Sequence, residues 1–250
     1  VNEHAPEASA ATGKEAVQPA PRIDDTLYAG LLARNVSHGL VDYPGLLREE
    51  KTLDTYLDAL ARVNPEALDR AGQMAYWINA YNAWTLKLVL DHYPVSSIKK
   101  IGPFWSTPWK IEFVRIRGNG GKERTVALDY IEHSILRPRF KDPRVHFAVN
   151  CASRSCPPLR AEPYEPDRLD EQLDDQASRF LNSPDGARLV DDELYVSKIF
   201  DWFGGDFGGE EGVLGFVRRY AQGDFRTRLI ALGEKVRLRY MDYDWSLNSK

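Results

Sequence analysis

The stretch Val145–Leu159, "VHFAVNCASRSCPPL", holds both cysteines of a 250-residue chain, just behind His146. A cysteine becomes nucleophilic when its thiolate is favoured by a nearby cation, a hydrogen-bond donor or a helix N-terminus. Arg154 puts a positive charge between the two cysteines, and Ser153 and Ser155 carry hydroxyl donors. Pro157–Pro158 keep the exit of this loop extended. The residues therefore suit a thiol site. Cys151 or Cys156 is the nucleophile, His133 or His146 the base, and Glu132 or Asn82 the orienting group. Asn79, Ser153 and Arg154 are candidates to hold the ligand. The reaction class is acyl transfer or peptide hydrolysis on a small or peptidic substrate.

Other chemistries compete for the same residues. A disulfide between Cys151 and Cys156 would close a small loop, contribute roughly 2 kcal/mol and make both sulfurs inert. A zinc site could use His133, His146, Cys151 and Cys156, but that order matches no common finger. No metal or other cofactor is expected. A serine hydrolase is disfavoured because no G-x-S-x-G elbow occurs. From outside enzymology comes a non-catalytic binding or scaffold domain, in which the same residues only maintain the fold.

The elements that must position these residues follow from periodicity. A helix is expected over Leu53–Val63, broken by Asn64–Pro65. "QMAYWINAYNAWTLKLVLDHYP" is apolar nearly all round, which predicts a buried central helix. Asn79 and Asn82 lie toward one side of it. "WKIEFVRIRGNGGKERTVAL" reads as a hairpin turning at Gly118–Gly121. Asp129 and Glu132 have capping-box spacing at the start of "YIEHSILR". Val145–Asn150 reads as a strand with His146, Ala148 and Asn150 on one face. A straight strand would hold His146 roughly 16 Å from Cys151. "EPDRLDEQLDDQASRFLNS" is an amphipathic helix, "DWFGGDFGGEEG" a Gly-rich acidic loop without calcium-ligand spacing, and "KVRLRYMDYDWSLN" a last strand and tail. Helices first, then mixed strands and helices around a small sheet, make an α+β domain. The expected organisation is a flexible tail over residues 1–23 and one domain over 24–250.

Three blocks carry a family resemblance: "YWINAYNAWTLKLVLDHYPVSSI", "LDYIEHSILRPRFKDPRVHFAVNCASRSCPPL" and "YDWSLN". In this order they resemble the signature of domain-of-unknown-function family 547 (DUF547), over roughly Leu27 to Asn248. The resemblance implies a bacterial protein, often exported, or a plant protein fused to a coiled-coil-like segment. It points to Asn79, Asn82, Glu132, His133, His146, Cys151, Ser153 and Cys156 as signature residues and gives no reaction. Papain-like and transglutaminase-like enzymes share the thiol logic, but they place the cysteine on a helix ahead of the histidine; here the early helix has none.

Composition sets the outer limits. The net charge is −4 with no long basic run, which argues against nucleic acid or a polybasic membrane segment as partner. No apolar run reaches the ~18 residues of a transmembrane helix. The Ala-, Pro-, Ser- and Glu-rich start reads as the lead-in of an exported protein, with a cytoplasmic protein as the alternative. Removing Val1–Pro19 is expected to leave the melting temperature nearly unchanged, since so few apolar residues cannot offset ordering entropy; differential scanning calorimetry checks this, and a drop of many degrees contradicts it.

Overall fold

The N-terminal part is helical because its apolar residues recur at helical spacing. The computed structural model describes residues 22–118 and 121–250. The segment expected to be a tail lies outside them up to residue 21; Arg22 and Ile23 dock on the domain, Arg22 through an ion pair to Asp167. Helices α1 (Thr26–Asn35), α2 (Tyr43–Arg48), α3 (Glu50–Arg62) and α4 (Arg70–Leu90) follow one another. Leu53, Tyr56, Leu57, Leu60 and Ala61 form the buried stripe of α3. Asn64 then accepts a bond from the Glu66 amide and Pro65 starts a short 3-10 turn, as the sequence predicts.

Helix α4 is the central helix. From Met74 to Leu90 only Lys87 is not buried. Its ammonium meets Glu50, Asp54 and Asp91 at 2.7, 3.1 and 2.8 Å. The one charge on the buried part of α4 is thus matched by three carboxylates at its edge. Between α1 and α2, β1 (Val36–Ser37) and β2 (Leu40–Val41) form a hairpin. Gly39 at its turn has φ +79°, and a Cβ there would lie 2.2 Å from the Pro158 Cβ. Only glycine lets the hairpin lie against the exit of the cysteine loop.

Strands β3 (Val114–Arg117) and β4 (Glu123–Val126) pair antiparallel, as the hairpin reading requires. Asn119 and Gly120 of the expected turn lie outside the described residues. Helix α5 (Leu128–Tyr130) runs directly into a π-helix, Ile131–Phe140. The capping-box expectation fails here. The helix begins at Leu128 and Ala127 occupies the cap position, so Asp129 is already inside the first turn. Glu132 falls on the inner face and is buried.

The expected strand at Val145–Asn150 is replaced by a helical turn, α6 (Val145–Ala148). A short apolar run fits either structure, and tertiary burial decides. Val145 and Ala148 enter the core built on α4, whereas Phe147 enters a second core. Helix α7 (Leu169–Leu181) also joins the two cores, with Leu169 and Leu173 in the first and Ala177, Phe180 and Leu181 in the second.

The second core rests on a three-stranded sheet of β5 (Ala187–Val190), β6 (Glu193–Val196) and β7 (Arg237–Tyr240). Strand β6 lies in the middle, antiparallel to β5 and parallel to β7. The acidic Gly-rich segment is not a loop. It forms α8 (Ile199–Trp202), α9 (Gly204–Phe207) and the start of α10 (Gly209–Tyr220), followed by α11 (Gly223–Leu232). Phe200, Phe207 and Val213 supply the burial that orders it. After β7 the chain returns to the first core. Asn248 accepts from the Val41 amide at 2.9 Å and donates to the Ala152 carbonyl at 3.1 Å. Small sheets beside a helical majority make this an α+β domain.

Trp77 on α4 is 3 % exposed and meets Tyr76 edge to face. Trp77→Ala is expected to cost ~3–5 kcal/mol in urea denaturation; a near-neutral result would contradict the burial of α4.

Candidate functional site

Three buried asparagines shape the cysteine loop. Asn82 on α4 donates Nδ2 to the Ala148 carbonyl at 3.0 Å, and its Oδ1 accepts the Asn150 amide at 2.8 Å. Asn150 in turn donates Nδ2 to the Pro157 carbonyl at 2.9 Å. Its Oδ1 accepts from the Ala152 amide at 2.9 Å and from Asn248 Nδ2 at 3.3 Å. Asn248 Oδ1 receives the Tyr43 hydroxyl at 2.7 Å. The loop is thereby tied to α4 and to the C-terminal segment. It holds Ala152 at φ +59°, a conformation unfavourable for a residue with a Cβ.

Ahead of this loop, α6 places His146. The imidazole is 3 % exposed and stacks on Phe203 at 4.1 Å between ring centroids. Its Nε2 meets Asp206 Oδ2 at 2.8 Å. Arg137 on the π-helix grips the same carboxylate with Nε and Nη2, at 2.6 and 3.0 Å. The guanidinium beside it, with further bonding from His146, holds the Asp206 carboxyl down to about 2. An ionised Asp206 accepts from Nε2–H, so the neutral tautomer leaves Nδ1 as a bare lone pair. That Nδ1 is buried without a hydrogen-bond partner, 3.9 Å from Glu132 Oε1. Burial outweighs Asp206 and pushes the His146 pKa down to about 4. Burial also raises that of Glu132, whose Oε2 receives the Tyr81 hydroxyl at 3.3 Å.

Both cysteines are free thiols and are not at disulfide distance, which removes the disulfide reading. The Cys151 amide instead donates to Cys156 Sγ at 3.0 Å. Cys151 Sγ lies 3.0 Å from Ser153 Oγ and 3.3 Å from the Tyr243 hydroxyl. Hydrogen bonding from the Cys156 thiol, then Ser153 and Tyr243, brings the Cys151 pKa down to about 7 against the opposing effect of burial. Burial drives Cys156 the other way. Donors aimed at one sulfur favour its charged form and leave the proton on its neighbour.

Glu132, His133, His146, Cys151 and Cys156 line one cavity of about 200 Å³. Helical shortening of Val145–Ala148 brings His146 and Cys151 to the same cavity despite the distance expected for a strand. No hydrogen bond joins their side chains. His133 lies at the rim, with Nδ1 at 2.7 Å from Arg137 Nη1 and Nε2 at 3.5 Å from Asp129. The remaining candidates do not line this cavity. Asn79 bonds both the amide and the carbonyl of Tyr164, at 2.8 and 2.9 Å, and Asn82 holds backbone; neither lines the cavity. Arg154 is exposed, donates to the Ser249 carbonyl at 2.8 Å and does not line this cavity. Ser153 serves the sulfur. Among the described residues, no group of three or more His, Cys, Asp and Glu side chains converges as a metal site.

Sequence reading missed Asp206, Tyr243 and the aromatic wall of Trp109, Trp202 and Trp245. Rings of Tyr243, Trp202 and Trp245 lie 4.6–5.5 Å apart, and Trp109 meets Trp245 at 5.6 Å. The available signal was an acid set between two phenylalanines in "FGGDF", and the aromatics flanking "YDW".

Residues 65–181 match the model of the family described as "Protein of unknown function, DUF547". Over this stretch, which contains α4, the π-helix, α6, the cysteine loop and α7, the resemblance read from the signature blocks is borne out. Asp206, Tyr243 and Asn248 lie beyond the matched stretch. No curated protein and no solved structure matches the chain.

Two outcomes follow from this geometry. Asn150→Ala strips partners from the Pro157 carbonyl and the Ala152 amide, and is expected to cost at least ~2 kcal/mol in urea denaturation. The second concerns pH. The folded pKa of His146 is lowered from 6.5 to about 4, so below pH 6.5 the unfolded chain takes up this proton first. Stability is therefore expected to fall as pH drops from 6.5 toward 4. Melting curves of His146→Gln should show a shallower fall over that window; equal slopes would refute a buried neutral imidazole.

Proposed function

We propose that this protein is a thiol-dependent hydrolase or transferase acting on the acyl group of a small or peptidic substrate. Cys151 is the nucleophile, His146 the general base and Asp206 the group that orients His146. The observation that carries this reading is the buried, unpartnered Nδ1 of His146, on a ring whose other nitrogen is held by a carboxylate. An unpaired buried acceptor is unfavourable, and catalytic bases are a recurring reason for one. Contacts between nucleophile and base are often loose in an unliganded site and tighten with substrate.

In the reaction, His146 Nδ1 takes the thiol proton and the Cys151 sulfur attacks the acyl carbon. The tetrahedral adduct collapses to a thioester, and the departing amine or alcohol takes the proton from Nδ1–H. Water or a second acceptor then attacks the thioester, giving its proton to Nδ1, and the released thiolate takes that proton back, restoring the thiol and the neutral imidazole. Asp206 stabilises the imidazolium formed in each half. Burial raises the Glu132 pKa, which disfavours a second negative charge on the cavity wall that carries the thiolate. The composition of the leading segment supports an exported protein, in which turnover requires the thiols to stay reduced. No helix among the described residues is long and apolar enough to cross a membrane.

A binding domain without chemistry is the rival, and the missing hydrogen bond between Cys151 and His146 favours it. Alkylation by iodoacetamide followed by peptide mapping separates the two. The enzyme reading expects Cys151 of the folded protein to react with a midpoint near pH 7 while Cys156 stays inert. With p-nitrophenyl acetate, an acetyl adduct is expected on Cys151, absent in Cys151→Ser and formed roughly a hundredfold more slowly in His146→Ala. A folded protein with neither a labelled thiol nor an adduct leaves only the binding reading.

A further inference from the structure

Beside the cavity, one segment exposes more apolar surface than any fold requirement explains. Phe104 is 96 % exposed and Trp105 76 %, and the two rings stack edge to face at 4.9 Å. Isolated exposed apolar residues are ordinary, but a neighbouring aromatic pair held out in water points to a surface that something covers. Lys99, Lys100 and Lys110 flank the pair, all exposed, and Glu112 is the single carboxylate between Ile98 and Phe113. The net charge of the chain is −4, so this positive character is local.

The base of the segment is fixed. Ile98 and Ile101 are buried in the first core. The Ser97 hydroxyl donates to the Trp245 carbonyl at 2.6 Å, and the Lys99 ammonium sits over the Trp245 ring at 4.8 Å. Gly102, at φ +89°, and Pro103 turn the chain outward. The tip then descends through Thr107 and Trp109, which line the cavity. Phe104 and Trp105 are thus held out on an anchored base at the cavity's edge.

We propose that Phe104 and Trp105, with Lys99, Lys100 and Lys110, form a docking surface for an anionic lipid bilayer. Tryptophan is enriched at the headgroup level, where its amphipathic ring is matched, and lysines beside it are attracted to anionic headgroups. Apolar insertion and local positive charge together make the two-part attachment that peripheral binding needs. Contact would set the cavity mouth next to the membrane surface. This inference stands independently of the reaction assigned to the cavity.

Sedimentation with vesicles tests it. The full chain is expected to bind vesicles of three parts phosphatidylcholine to one part phosphatidylglycerol, to bind phosphatidylcholine alone weakly, and to lose affinity as salt is added. Phe104→Ser/Trp105→Ser should bind the anionic vesicles at least ~tenfold more weakly with an unchanged melting temperature, because the replaced rings lie outside the core. A second readout needs no disruptive variant: brominated phosphatidylcholine mixed into the anionic vesicles should quench tryptophan emission, and less so in Trp105→Phe. The proposal is overturned if the wild-type chain stays in the supernatant, if the double variant binds equally, or if quenching is unaffected by Trp105→Phe. It is also overturned if light scattering shows a dimer that the double variant dissolves, since a second copy would then be the occupant.

Discussion

The Asn150 amide is the joint on which the rest of the site depends. Its side chain joins the Pro157 carbonyl, the Ala152 amide and Asn248, and its backbone amide reaches Asn82 on α4. Buried amides stay unpaired only at a penalty, so each of these contacts constrains the others. The result is a loop of one shape, tolerating a left-handed Ala152 and turning Cys151 toward Ser153 and Tyr243. A mobile loop could not keep two hydroxyls trained on one sulfur.

The second constraint is electrostatic and comes from the opposite wall. Arg137 ionises Asp206, Asp206 fixes the His146 tautomer, and Phe203 and burial keep the ring neutral. Low exposure suppresses charge at His146 and Glu132, while donor-rich surroundings favour it at Cys151. Helix α6 feeds Val145 and Ala148 into one core and Phe147 into the other, and His146 between them lines the cavity.

Periodicity made the long helices legible. α3, α4 and α7 each carry enough turns for a helical stripe, or all-round apolarity, to stand above noise, and the β3–β4 hairpin carries its own turn chemistry. Short elements failed for the converse reason. Four residues of α6 have no period to read, and the "DWFGGDF" segment looked like a loop until aromatic burial ordered it. Asn79 and Asn82 were legible as buried amides needing partners, but not as holders of Tyr164 and of the Ala148–Asn150 backbone, because those partners lie 66–85 positions away.

By itself the sequence determined the residue chemistry: two thiols behind a histidine, a buried amide-bearing helix, an α+β order of elements and the DUF547 signature. The tertiary structure alone decided which groups meet. It left the thiols unpaired, tied Arg154 to the Ser249 carbonyl, brought His146 into the cavity of Cys151 and supplied Asp206 from 60 positions downstream. Local sequence carries propensity and period, whereas the distances that set a pKa or make a base arise from contacts between segments that no local pattern encodes.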